Sequence, residues 1–306
     1  MSEPAPSRPS EPRLPAIFAA AARESVDKLT AGEAAFRTSQ DPEGIHSMRT
    51  AARRLRSSLR FLGGHLGFAE KKSLKARLRT LMRVLGPVRD LHVLVEAVRG
   101  TPELPAEDAK QLSEAVENKG VRPVVAAIAY LDGPEYRSLT AELEAACRTD
   151  VEGLPAAAEA PARLFRAVGE ALVNRPPSWD SAPDEHLHET RKSVKRLRYA
   201  LEAYRPAFGR PVAAAAERCR GLQEALGRIQ DAAAFDSVLR SHRTFAAGQF
   251  LACARMRAAG ARGLLADLWR RALGPKALGR LGAHLMRRAA RAMTGEAPAE
   301  PLSRAV

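Results

Sequence analysis

The chain has 306 residues, 45% of them apolar, with 49 Lys+Arg against 35 Asp+Glu and a formal net charge of +14. Such a composition excludes a globally disordered or collagen-like chain, and the length suits one large domain or two smaller ones, each able to bury a core. Aromatic residues make up 5%, too few for a protein built on aromatic stacking platforms, and three cysteines far apart in sequence (Cys147, Cys219, Cys253) exclude a disulfide framework and argue against a cysteine-based zinc site.

In chain order, residues 1–13 are rich in Pro, Ser and charge and predict a disordered leader; residues 296–306 predict a disordered tail. The stretch Ala16 to Ala22 is short, Ala-rich and without a basic flank, so it predicts the start of a helix and not a targeting signal. No run approaches the roughly 18 apolar residues of a membrane span, and a cytoplasmic chain without a membrane partner is the expectation. From 14 to 295 apolar residues recur at three and four, no stretch alternates like a strand, and Ala, Leu, Arg and Glu dominate. Breaks at Pro42, Gly63-Gly64, Gly86-Pro87, Pro102 to Pro105, Gly133-Pro134, Gly153 to Pro161, Pro176-Pro177, Pro183, Gly209, Gly227 and Gly274-Pro275 predict about ten helices. The Ala/Pro-rich stretch Gly153 to Pro161 marks a seam between segments 14–152 and 162–295.

The two segments repeat. His46-Ser-Met-Arg49-Thr-Ala-Ala-Arg53-Arg54-Leu55-Arg56 aligns with His188-Glu-Thr-Arg191-Lys-Ser-Val-Lys195-Arg196-Leu197-Arg198 at an offset of 142. Further on, Leu85-Gly86-x-x-Arg89-Asp90 aligns with Leu226-Gly227-x-x-Gln230-Asp231 at an offset of 141. Two motifs recurring in one order at nearly one spacing predict an internal duplication.

Charge is concentrated in the same places. From His46 to Arg99 there are 13 Lys+Arg and 3 Asp+Glu, and from His186 to Arg228 there are 10 and 4. On a helix, His46, Arg49, Arg53, Arg56 and Arg60 share one face, opposite Met48, Ala52, Leu55, Leu59 and Leu62. In the second copy His188, Arg191, Lys195 and Arg198 form the stripe against Val194, Leu197, Leu201 and Tyr204. Lys72, Lys75, Arg79 and Arg83 share a face of the next helix. An ordinary solvated face interleaves acids with bases, because like charges at i,i+4 repel; from His46 through Arg89 the sole acid among 12 Lys+Arg is Glu70. A polyanion is therefore the expected partner, and rows of guanidinium suit a string of phosphates. Asp41-Pro42-Glu43 and Ser181-Ala-Pro183-Asp184 predict helix caps just before the two histidines. Asp90 and Asp231 are each expected to pair with a stripe arginine and fix its rotamer. No Gly-rich nucleotide loop, metal-ligand spacing or carboxylate pair within helical reach is present, so no cofactor, metal site or catalytic residue is predicted.

These residues, with HETRKSVKRLRYALEAY and LQEALGRIQD, make the chain resemble the CHAD (conserved histidine α-helical domain) family over about residues 14 to 295. The resemblance implies an all-α fold of two pseudo-symmetric four-helix bundles, from 14–152 and 162–295, with a basic pore or cavity between them. It further implies binding of inorganic polyphosphate and association with polyphosphate granules in prokaryotic cells. Carried onto this sequence, the motif positions are His46, Arg49, Arg53, Arg54 and Arg56, with His188, Arg191, Lys195, Arg196 and Arg198. The stripes add Arg60, Lys72, Lys75, Arg79, Arg83, Arg89 and Arg220. The second copy carries Ala216, Glu224 and Gln230 against Lys75, Arg83 and Arg89, so the halves are expected to bind unequally. The ExExK strand of the triphosphate-tunnel hydrolase domain fused to some CHAD proteins is missing, which favours a non-catalytic role. Nucleic acid is the second-ranked partner, and a phosphoanhydride-processing enzyme ranks third.

Overall fold

The computed structural model describes residues 13–63, 68–147, 156–242 and 244–294. Among them the chain forms α-helices and no strand: α1 (Leu14–Ser39), α2 (Pro42–Phe61), α3 (Phe68–Val84), α4 (Gly86–Arg99), α5 (Ala106–Glu117), α6 (Val121–Asp132), α7 (Pro134–Ala146), α8 (Ala156–Val173), α9 (Asp184–Phe208), α10 (Arg210–Leu239), α11 (Phe245–Leu273) and α12 (Pro275–Thr294), with a 3-10 turn at Asn118–Gly120. The chain is all-α, as its periodicity predicts. The expected leader, except Arg13, and the expected tail lie outside the described residues, as do Gly64 and residues 153–155 of the seam.

Most of the predicted breaks fall at helix ends, and two do not. Gly227 lies inside α10, where it faces the Arg191 guanidinium, and Pro161 lies in the second turn of α8. So near a helix start, a proline strands one carbonyl and leaves the rest of the ladder intact. Helices α8, α9 and α10 begin 142 residues after α1, α2 and α3, the offset of the sequence motif. Where the first half is broken at Leu85 into α3 and α4, the second runs unbroken as α10.

The halves are interlocked. One core cluster joins Leu55 and Leu59 of α2 and Leu78 of α3 to Leu197, Leu201 and Leu222 of α9 and α10. A second joins Leu94, Val98 and Leu112 of α4 and α5 to Phe235, Leu239 and Phe250 of α10 and α11. Each fully buried leucine or phenylalanine contributes about 1.5–3 kcal/mol, so the two segments stabilise each other.

Helix α2 starts as its sequence predicts: the Asp41 carboxylate accepts from the Glu43 amide at 2.9 Å, with Pro42 in the first turn. Its apolar face, Ile45, Met48, Ala52, Leu55 and Leu59, is wholly buried, which leaves Arg49, Arg53 and Arg56 at the edge of the packed surface. Helix α9 buries Val194, Leu197, Leu201 and Tyr204 in the same way. Its start differs from expectation: Pro183 occupies the cap position without a side-chain cap, and Asp184 accepts from Arg262 at 2.6 Å.

The two motif helices are clamped where α2 ends. The Phe61 carbonyl accepts from the Tyr204 hydroxyl of α9 at 2.8 Å and from Arg163 of α8 at 2.6 Å. Burial pushes the Tyr204 hydroxyl up to about 12, so it remains a donor through the neutral range. Tyr204→Phe leaves that carbonyl with Arg163 alone and is expected to cost about 1 kcal/mol, read as a lower Tm in thermal denaturation. An unchanged Tm would show that the clamp contributes nothing to stability.

Candidate functional site

The glycine of each Leu-Gly motif lies against the first arginine of each basic motif. A Cβ on Gly86 would stand 3.2 Å from Arg49 Nη1, and one on Gly227 would stand 3.5 Å from Arg191 Nη2. The glycines therefore leave room for two guanidinium groups at the helix surface. Arg49 is fixed by donating to the Met82 carbonyl at 2.8 Å, and Arg191 by donating to Gln230 Oε1 at 2.6 Å. The expectation that Asp90 and Asp231 form these pairs is corrected: each acts on its arginine electrostatically, without an ion-pair contact, and the rotamers are set by a carbonyl and an amide. Gln230, the counterpart of Arg89, thus orients its neighbour. Asp90 and Asp231 also come within electrostatic range of each other across α4 and α10, which one-helix spacing could not show; burial pushes the Asp231 carboxyl up, against the pull of Arg191, and Asp90 adds a smaller upward push.

The stripes of α2 and α9 converge on Lys195. Its ammonium is lowered to about 7 by burial and, after burial, by Arg53, Arg191, Arg198 and Arg49. His46 is lowered by burial and by Arg89 and Arg53, against the weaker opposing pull of Glu43 and Glu96. Cations from α2, α4 and α9 therefore share one neighbourhood. The Nε groups of Arg49, Arg191 and Arg198 are buried there without a hydrogen-bond partner among the described residues.

A second basic group lies between α2 and α3. Burial and then Arg79 lower Arg56, while burial and then Lys71, Arg60 and Arg56 lower Lys75. Lys71 was not among the residues expected from the sequence. It precedes Lys75 by one helical turn, a spacing that could have marked it, and it is half-buried whereas Lys72 is exposed. Arg83 acts electrostatically on Tyr130 of α6.

Several of the remaining expected residues carry their own counter-charges. Arg54 pairs with Glu24 of α1 at 3.3 Å, and Arg60 and Arg196 share Glu170 of α8 at 3.6 and 3.5 Å. Arg89 pairs with Glu96, Arg198 with Glu202, and Arg220 with Glu202 and Glu217. His188 is exposed beside Glu189. Among the described residues no carboxylate comes within ion-pair distance of Arg49, Arg53, Arg56, Lys75, Arg79, Arg191 or Lys195.

Among the described residues, fold and site define an all-helical protein in which α2 and α9 bring together cations that have no carboxylate partner. The chain belongs to the CHAD domain family, which matches residues 20–240. Across 92% of its length it is similar to the crystal structure of the CHAD domain from the plant Ricinus communis, with a TM-score of 0.61, 25% identity and 96% of that chain covered. It shares its fold with PptA from Streptomyces chartreusis, at a TM-score of 0.60 and 16% identity over 85% of this chain and all of that one. Among curated proteins, an uncharacterized protein of Mycobacterium tuberculosis is 27% identical over 211 residues, 65% of this chain; the chain spans 40% of that protein's length.

The Lys195 neighbourhood would make binding of an anion there proton-linked. An ordinary lysine titrates near about 10.4; a bound polyanion supplies the missing counter-charge and moves Lys195 back toward that value, so binding takes up a proton. The complex is the state with the higher Lys195 pKa, and its extra affinity is complete below the free value and lost as pH rises through the range between the two. Isothermal titration with long-chain polyphosphate is expected to show log K falling by nearly one unit per pH unit between about pH 7 and 9. Lys195→Arg, charged throughout, is expected to keep binding and remove this slope. A slope unchanged in that variant would contradict the assignment.

Proposed function

We propose that the protein binds inorganic polyphosphate without catalysis, through the unpaired cations of α2, α3 and α9, and that this binding directs it to polyphosphate granules in the cytoplasm. The observation that carries the reading is the unneutralised row: Arg49, Arg53, Arg191 and Lys195 at the helix crossing, continued by Arg56, Arg79, Lys75 and Lys71 between α2 and α3. An extended polyanion satisfies such a row better than a compact ion, and arginine matches phosphate oxygens with paired donors. Family membership supports the same ligand, since CHAD proteins are known for polyphosphate association. Among the described residues no helix is long and apolar enough to cross a membrane.

The aromatics of α2 and α9 weigh against single-stranded nucleic acid: Tyr204 and Phe208 are buried in the core. Phe61 is buried with its ring edge-on to Tyr204, and the Arg198 guanidinium lies over Tyr199 at 4.5 Å. Phe61 offers no face to a base, and one face of Tyr199 is already taken by a guanidinium. A non-catalytic role is supported by the chemistry of the row, which is cationic, whereas phosphoanhydride chemistry commonly holds its metal on carboxylates.

Competition between long-chain polyphosphate and duplex DNA at matched phosphate concentration and fixed salt tests the ligand. Polyphosphate is expected to displace DNA at well below equal phosphate; equal competition would mean a generic anion surface. Phosphate release from polyphosphate with Mg²⁺ is expected to stay at the level of a protein-free control, and turnover above it would overturn the non-catalytic reading.

A further inference from the structure

A second basic concavity lies outside both stripes, where α10, α11 and α12 meet. It is a cavity of about 640 Å³ lined by Arg218 of α10, Arg270 and Arg271 of α11, and Lys276 and Arg280 of α12. Asp267 pairs with Arg270 and Arg271, each at 2.6 Å. Among the described residues Arg218, Lys276 and Arg280 have no carboxylate within ion-pair distance, and Arg218 Nε is buried without a hydrogen-bond partner. We propose that this cavity is a second polyphosphate-binding site, so that a long chain engages the protein at two places; the inference rests on the polyphosphate reading above.

The local structure holds these cations together against their repulsion. A Cβ on Gly274 would stand 2.4 Å from the Arg270 carbonyl, so glycine permits the tight turn that brings the last turn of α11 onto the first turn of α12. That first turn contains no acid, and Lys276 sits at the positive end of the helix dipole, where a cation is disfavoured and an anion is stabilised. The arrangement is thus electrostatically unfavourable until an anion enters. Arg218 and Arg220 are two positions apart on α10 and point to opposite sides. Arg220 is tied to Glu202 and Glu217, while Arg218 faces this cavity. No aromatic side chain lines it, and its concave cluster of point charges suits a short run of phosphates more than a base-bearing strand. Two sites on one molecule raise the affinity of a chain long enough to span them and add nothing for a short one beyond a second equivalent.

Lys276→Ala/Arg280→Ala alters two exposed side chains, with retention of the fold checked by Tm. Isothermal titration is run with long-chain polyphosphate and with tripolyphosphate. In the double variant, long-chain affinity is expected to fall by about tenfold, and bound tripolyphosphate to drop from two equivalents to one. Unchanged long-chain affinity with one equivalent in both proteins would overturn the second site. Arg53→Ala/Arg191→Ala tests the central site separately: one tripolyphosphate still bound supports the second site, and none contradicts it. Binding lost in Lys276→Ala/Arg280→Ala and intact in Arg53→Ala/Arg191→Ala would keep this site and overturn the central one.

Discussion

Like-charge repulsion at the α2–α9 crossing is the constraint around which this molecule is arranged. Two unit charges about 5 Å apart at an effective dielectric near 20 repel by roughly 3 kcal/mol, and Lys195 meets four guanidinium groups at once. The helices cannot rotate away, because their opposite faces are locked in the core: Met48, Ala52, Leu55 and Leu59 on α2, and Val194, Leu197 and Leu201 on α9. Each buried leucine contributes about 1.5–3 kcal/mol, so the summed burial exceeds the repulsion. The clamp of Tyr204 and Arg163 on the Phe61 carbonyl fixes the crossing further. Stability elsewhere in the fold holds the cations where an anion can use them.

What distinguishes the crossing is which cations have no carboxylate partner among the described residues. Carboxylates from α1, α8 and α9 reach Arg54, Arg60, Arg196, Arg198 and Arg220. Among the described residues they leave Arg49, Arg53, Arg191 and Lys195 at the crossing, and Arg56, Lys75 and Arg79 beside α3, without one. Exposed ion pairs contribute little to stability, but each places a counter-charge beside a cation that a polyanion would otherwise neutralise. The result is a track of free positive charge bordered by compensated charge.

Much of this was legible in the sequence. The all-α class and the division of α2 and α9 into apolar and basic faces follow from helical periodicity, and the 142-residue spacing of helix starts and the family follow from the repeated motif. Periodicity says which residues share a face and nothing about what faces them. Glu24 and Glu170 lie on helices far in sequence from the arginines they meet, so paired and unpaired cations looked alike. Gly227 read as a helix break because glycine commonly ends helices, whereas here it makes room for Arg191. Asp90 and Asp231 read as arginine partners because of their motif position; a carbonyl and an amide took that place.

Arg53 and Arg54 are adjacent on α2, one unpaired at the crossing and the other held by Glu24, and comparing them tests the account most directly. Polyphosphate affinity measured across a salt series for Arg53→Ala and Arg54→Ala decides it. Arg53→Ala is expected to weaken binding and to reduce the slope of log K against log salt by about one, with Arg54→Ala within about twofold of the parent protein. Equal losses from both, or a greater loss from Arg54→Ala, would show that the partition of paired and unpaired cations does not define the site.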